Sequence, residues 1–213
     1  MDASSLVFLV GILACTSIYR QRGRLDDNLY FAMTLTVIAL AASDAAAYLL
    51  EGRGLPGARE VMIAGNIVFY TAFEVFAYLF VLYLDFRIHR SEERVRARKL
   101  PYLIPCLLLL AVLLINLKTG WIFSVDEGQI YHSGPYNNVV FVPAAIYFLI
   151  AIGKIRQMDR RLIVLCLLAV AVRIAMGVWF RQISSTAFTY TLFLACAHIH
   201  VMNQPLTEDK TWA

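Results

Sequence analysis

The chain has 213 residues, of which 60% are hydrophobic and 16% charged, and its 19 Lys and Arg against 15 Asp and Glu give a net charge of +4. With a mean hydropathy of +0.66, that balance excludes a water-soluble domain and leaves room for one helical bundle without a second folded domain. The basic residues do not mark a nucleic-acid partner: they fall in short runs between apolar stretches, where they set orientation and meet lipid headgroups.

A membrane crossing takes about 20 mostly apolar residues. Seven segments qualify, at 4–19, 28–50, 61–86, 102–117, 139–155, 162–180 and 185–202. The first is short enough for a signal peptide, and Ile12-Leu13-Ala14-Cys15 resembles a lipoprotein cleavage box. No basic residue precedes the run, however, while Arg20, Arg22 and Arg24 follow it, so it reads as a span.

Alternate loops differ in charge. One set carries Arg20, Arg22 and Arg24, then Arg87, Arg90, Arg94, Arg96, Arg98 and Lys99, then Arg156, Arg160 and Arg161. The other carries Arg53, Arg59, Lys118 and Arg181. The positive-inside bias puts the first set in the cytoplasm, the N-terminus outside and the C-terminus in the cytoplasm. One connection is long enough for structure of its own, between the fourth and fifth spans. There Trp121 to Val125 and Gln129 to His132 are strand-like runs around Asp126-Glu127-Gly128, with Gly128 as the candidate for a positive φ and Gly134-Pro135 as the closure. Cys15, Cys106, Cys166 and Cys196 all lie in apolar runs with no shared ligand spacing, and read as small hydrophobes. The expected fold is therefore an all-α membrane protein. It is a seven-transmembrane helix bundle over residues 1–203 with a small extracellular β-hairpin between helices 4 and 5, followed by a short cytoplasmic tail, 204–213.

A charge near the bilayer centre costs at least ~2.5 kcal/mol on insertion scales, so intramembrane charges face the interior and pair. Asp44, Glu74 and Arg173 are such charges. At ~1.5 Å per residue, Asp44 and Arg173 both lie roughly 10 Å below the outer surface. Asn66, Tyr70, Glu74 and Tyr78 recur at a spacing of four, on one slowly turning face. The run Ala41-Ala42-Ser43-Asp44-Ala45-Ala46-Ala47 allows a close helix approach, and Thr186, Thr189 and Tyr190 add hydroxyls in the outer half of the last span. The expected binding set is Asp44, Asn66, Tyr70, Glu74, Arg173 and Tyr190, lining a cavity open to the outside with Glu74 at its floor and the hairpin as lid. A purely structural Asp44–Arg173 ion pair is the competing reading.

At the inner ends of spans three and seven, Asp85, His89, His198 and His200 share a depth, a set with zinc-ligand chemistry. Against it, the i, i+2 pair His198 and His200 points to nearly opposite faces of a helix, so no metal and no cofactor is expected. There is no G-x-S-x-G, H-E-x-x-H or P-loop, and no lysine in the last span for a retinal Schiff base.

The stretch Asn116 to Asp126, continued by Gly128-Gln129-Ile130-Tyr131-His132-Ser133-Gly134-Pro135, resembles the outer loop of the seven-helix input modules that precede bacterial GGDEF diguanylate cyclases and some histidine kinases. The shared elements are an Asn, a Thr-Gly, Phe-x-x-Asp, a Tyr and a Gly-Pro, and the span layout agrees over most of the chain. Gln204-Pro205-Leu206-Thr207-Glu208 resembles the opening of the output domain, of which no further sequence is present. The resemblance thus implies a sensor in the bacterial inner membrane, not a cyclase. Its expected partners are membrane lipids, a small ligand, and a cytoplasmic signalling protein or a second copy of the chain. The alternatives are an intramembrane metal-dependent lipid hydrolase using Asp85, His89 and His198, and a small transporter. The latter is disfavoured because Pro105 and Pro143 lie near span ends and no repeat is present.

Overall fold

The computed structural model describes residues 24–154, together with Val10, Gly11, Leu13 and Ala14. The chain divides into two units, Met1–Met158 and Asp159–Ala213, and all described residues belong to the first. In chain order these residues form α1 (Leu25–Leu50), α2 (Ala58–His89), α3 (Glu92–Thr119), β1 (Phe123–Val125), β2 (Tyr131–Ser133), a 3-10 turn (Asn137–Val140) and α4 (Phe141–Gly153). Helices α1, α2 and α3 are each long and apolar enough to cross a membrane, and Asn137–Gly153 is a shorter apolar segment. They overlie the predicted spans at 28–50, 61–86, 102–117 and 139–155. The predicted spans at 162–180 and 185–202, and most of 4–19, lie outside the described residues.

α1 opens with acids where the helix dipole favours them, Asp26 and Asp27 in the first turn. Arg24 grips Asp26 with two hydrogen bonds, 3.2 and 2.7 Å, and Arg87 from the end of α2 approaches it to 3.7 Å. Along their length α1 and α2 pack closely, as the small-residue run 41–47 predicts. Ala41 is fully buried, and a Cβ built on Gly65 would lie 3.5 Å from the Ser43 carbonyl oxygen.

α3 begins at Glu92, well before the predicted start at 102. The reason is a cap: the Ser91 hydroxyl accepts a hydrogen bond from the Arg94 amide at 3.3 Å, and Glu92 and Glu93 occupy the first turn. This signal outweighs the helix-breaking tendency of Pro101. Arg94, Arg96, Arg98 and Lys99, expected in a loop, therefore ride on the first turns of α3, and Pro101 and Pro105 lie inside it. Only Arg90 and Ser91 separate α2 from α3. From Cys106 onward the buried positions of α3 are Leu109, Leu113 and Asn116, three or four apart on one face, while Leu107, Leu108, Leu114 and Ile115 are exposed. An apolar outer face of this kind suits lipid rather than water.

The hairpin forms where expected, antiparallel with Phe123 opposite Ser133, Ser124 opposite His132 and Val125 opposite Tyr131. Its left-handed residue, however, is Gln129, with φ 61°, and not Gly128. The turn explains this: the Gln129 amide bonds to the Asp126 carbonyl at 3.1 Å and the Ile130 amide to Asp126 Oδ1 at 2.9 Å. The extra residue of the bulged turn thus falls at 129. Gly134 acts through space rather than through φ, since a Cβ there would lie 2.2 Å from the Trp121 carbonyl oxygen.

The hairpin is fastened on both sides. Asn116, buried near the end of α3, accepts from the Ile122 and Phe123 amides at 2.6 and 3.3 Å and donates to the Phe123 carbonyl at 2.9 Å. Across the sheet, Gln129 and Tyr131 bond to the 51–57 connection through Gly52, Leu55 and Glu51, and Arg59 donates to the Val125 carbonyl. Beneath it Tyr70, Leu109, Leu113, Ile122, Phe123 and Val140 form one buried apolar cluster.

Candidate functional site

The polar side chains of α2 follow a single face. Asn66, Tyr70, Glu74 and Tyr78 are spaced by four, and Asp85 follows two turns later on the same side. All but the half-buried Asn66 are buried. This file of groups runs from the hairpin to the basic end of the helices, and each stretch has its own chemistry.

At the hairpin end, the Tyr70 hydroxyl lies 2.9 Å from the Tyr131 hydroxyl and donates to Asn137 Oδ1 at 3.1 Å. Tyr70 is thus the post on which the hairpin rests. Asn66 donates to the Met62 carbonyl of its own helix at 2.8 Å. In the exposed turn of the hairpin the Asp126 carboxylate lies 2.9 Å from His132 Nε2. The His132 hydrogen bond, reinforced by the Ile130 amide, holds the Asp126 carboxyl below its ordinary pKa.

In the middle stands Glu74, 1% exposed. Among the described residues neither of its carboxylate oxygens has a hydrogen bond of ordinary length and angle, and the Ala144 amide in the first turn of α4 is the polar group that interacts with it. Around it the neighbours bond to one another. The Cys106 thiol donates to the Glu74 backbone carbonyl at 3.5 Å and lies 3.2 Å from the Tyr147 hydroxyl, which donates to the Tyr102 carbonyl at 2.5 Å. Tyr78 donates to the Lys99 carbonyl at 3.3 Å.

At the basic end Asp85 is fully buried. Its Oδ1 receives a hydrogen bond from Lys154 and faces Arg98 at 3.4 Å and Arg94 and His89 at 3.7 Å each. Arg98 also donates to the Tyr102 hydroxyl at 3.2 Å. Two polar groupings thus lie between the two acids and meet at Tyr102: Cys106 and Tyr147 link the Glu74 and Tyr102 backbone carbonyls, and Arg98 links the Tyr102 hydroxyl to Asp85.

Of the predicted binding residues, Tyr70 and Glu74 share this face with Asn66, while Asp44 is half-buried on α1. Arg173 and Tyr190 lie outside the described residues, as do His198 and His200. Asp85 and His89 do approach each other, yet the oxygen they share is turned to three further cations. Among the described residues no group of three or more His, Cys, Asp or Glu is placed to hold a metal ion. An open groove of about 340 Å³ is lined by Thr36, Ile67, Val68, Thr71, Ala72, Val75 and Leu110, none of them a predicted ligand residue.

Sequence reasoning missed Lys154, Tyr102, Tyr147 and the polar part played by Cys106. Lys154 was detectable, because it is a lone cation in the last turn of the apolar run 139–155. The rule that singles out Asp44 applies to it equally.

No family model, curated protein or solved structure matches this chain.

Proposed function

We propose that the chain is a membrane sensor module of seven helices in a bacterial inner membrane, with its N-terminus outside and its C-terminus in the cytoplasm. A small ligand arriving from the hairpin side engages Glu74, with Asp44, Asn66, Tyr70, Arg173 and Tyr190 completing the binding set. Its output is a change in helix arrangement that a cytoplasmic signalling protein, or a second copy of the chain, reads.

The observation that carries this reading is Glu74. A carboxyl group that is 1% exposed and that, among the described residues, meets only the Ala144 amide, outside ordinary hydrogen-bond geometry, is costly in an apolar interior and marks a place reserved for another group. A ligand that supplies a cation or an N–H donor has differential affinity for the arrangement that presents Glu74, and such a difference is what shifts a conformational equilibrium. The packed neighbours Cys106, Tyr147 and Tyr102, the last bonded through its hydroxyl to Arg98 beside Asp85, are where that shift would be passed toward the basic end.

The test joins a diguanylate cyclase catalytic domain to the chain after residue 203 and measures cyclic di-GMP in cells carrying the parent, Glu74→Gln, Asp44→Asn or Arg173→Ala. Altered output from membrane-inserted variants supports the reading. Parental output from all three rules it out.

A further inference from the structure

The surroundings of Asp85 carry more positive charge than Asp85 requires. Its single negative charge is met by Lys154 through a hydrogen bond, and Arg98 and Arg94 then crowd the same oxygen at 3.4 and 3.7 Å. Among the described residues, one anion against three cations leaves two positive charges unmatched, before His89 at 3.7 Å is counted. Nearby, Arg96 pairs with Glu92 at 3.6 Å, and Arg24 and Arg87 share Asp26. Among the described residues Arg94, Arg98 and Lys154 have no carboxylate but Asp85.

The three cations are also placed differently. Lys154 is buried behind Asp85, whereas the side chains of Arg94 and Arg98 keep 38% and 40% of their exposure. They stand one turn apart on α3, so their guanidinium groups share one face. Arg94 Nε is the atom that faces Asp85 Oδ1, at 3.7 Å and shielded from solvent, so the terminal amino groups of this partly exposed side chain are what an incoming anion meets. A planar fork of donors fits a phosphate oxygen pair better than any neutral group does. The site lies at the end of α2 and the start of α3, two helices long and apolar enough to cross a membrane, which is where lipid phosphates lie.

We propose that Arg94 and Arg98, backed by Lys154, bind a phosphate group at the basic end of the helices, either the phosphodiester of an acidic phospholipid headgroup or free inorganic phosphate. The site is separate from the Glu74 site and does not depend on the sensor reading. Asp85 holds the three cations together in the absence of the anion, and the anion supplies the missing negative charge.

Native mass spectrometry of the full chain in a neutral detergent tests this by titration with phosphatidylglycerol, phosphatidylcholine and inorganic phosphate in turn. The expected result is retention of phosphatidylglycerol at lower concentration than phosphatidylcholine, weakened about fivefold for each arginine removed in R94Q and R98Q and unchanged in R96Q. Binding of inorganic phosphate, lost in R94Q and R98Q without a preference between the lipids, identifies the free anion as the ligand of the same site. Equal retention of both lipids with no phosphate bound, or a preference that survives R94Q and R98Q, overturns the proposal. The single variants leave Lys154 on Asp85, and each is read beside its own circular dichroism spectrum, so that loss of fold is told apart from loss of binding.

Discussion

Lys154, in the turn that ends α4, donates a hydrogen bond to Asp85 on α2, 69 residues away in the chain. Both residues are buried, at 8% and 0% exposure, so the pair fixes α4 to α2 in a setting where an unmatched charge is expensive. Removing one partner of a buried pair typically costs ~3–5 kcal/mol. For Lys154→Met the expected loss is smaller, about 2 kcal/mol, because Arg94 and Arg98 remain within 3.7 Å of Asp85. Asp85→Asn should cost more, since it leaves three cations facing one another. The double variant should recover part of the loss. A double-mutant cycle by denaturant titration in micelles measures this coupling, and strictly additive effects would show that the two residues do not act as a pair.

The hairpin depends on two residues that leave no room for substitution. Gly134→Ala puts a methyl carbon 2.2 Å from the Trp121 carbonyl oxygen, which backbone atoms cannot accommodate without moving. Asn116→Ala strands the Ile122 and Phe123 amides and the Phe123 carbonyl in a buried place, at about 1–3 kcal/mol for each group left unsatisfied. Both variants should loosen the segment after α3 while leaving α1 and α2 intact. Limited trypsin digestion reads this out at the exposed Lys118: cleavage there should accelerate in both variants, and parental rates would refute the fastening described for the hairpin.

Acid should loosen the same turn. The Asp126 carboxyl is held below its ordinary pKa by the His132 hydrogen bond. A carboxyl whose folded-state pKa is depressed contributes stability above its unfolded value, and that contribution is lost as pH falls through the lower, folded value. The turn should therefore be steady at neutral pH and weaken below about pH 4. Fluorescence of Trp121, whose ring centroid lies 5.9 Å from that of Tyr136, reports the transition. Asp126→Asn should flatten its acid limb, and an unchanged acid limb would show that another group governs it.

Much of this arrangement is readable in the residues themselves. The residue pattern of 116–135 turns out to consist of hairpin-building residues: Asn116 bonds the strand, Gly120 takes φ +65° at the end of α3, and Asp126 closes the turn. Tyr131 meets Tyr70, and Gly134 lets two backbones touch. That pattern speaks for a loop fold and carries no ligand chemistry, which is why it locates the hairpin well and the site poorly. The face Asn66, Tyr70, Glu74, Tyr78 is legible because helical periodicity is local. The grouping of Asp85 with Arg98 and Lys154 is not, because it depends on where α3 begins and where α4 ends. The apolar run begins only at 102, and the Ser91-Glu92-Glu93 cap starts the helix far enough back to put Arg94 and Arg98 on one helix face.

Glu74 separates a residue kept for function from one kept for stability. If its carboxyl served the fold, replacing it would remove contacts and destabilise the protein. Among the described residues its oxygens meet only the Ala144 amide, outside ordinary hydrogen-bond geometry, and Leu or Gln would fill nearly the same volume at 1% exposure. Burying a polar group without a partner costs about 1–3 kcal/mol, so Glu74→Leu should relieve that cost and raise stability by roughly 1–2 kcal/mol, with Glu74→Gln close to neutral. Neighbouring groups offer the contrast. Tyr147→Phe removes bonds to Cys106 and the Tyr102 carbonyl and should lower stability by about 1 kcal/mol. Unfolding titrations of the three variants in one detergent, set beside the cyclic di-GMP output of the corresponding chimeras, give both readouts. A more stable Glu74→Leu protein with lost response is the pattern of a binding group. A Glu74→Leu protein that is less stable than the parent would make the carboxyl a structural element and remove the basis of the sensing proposal.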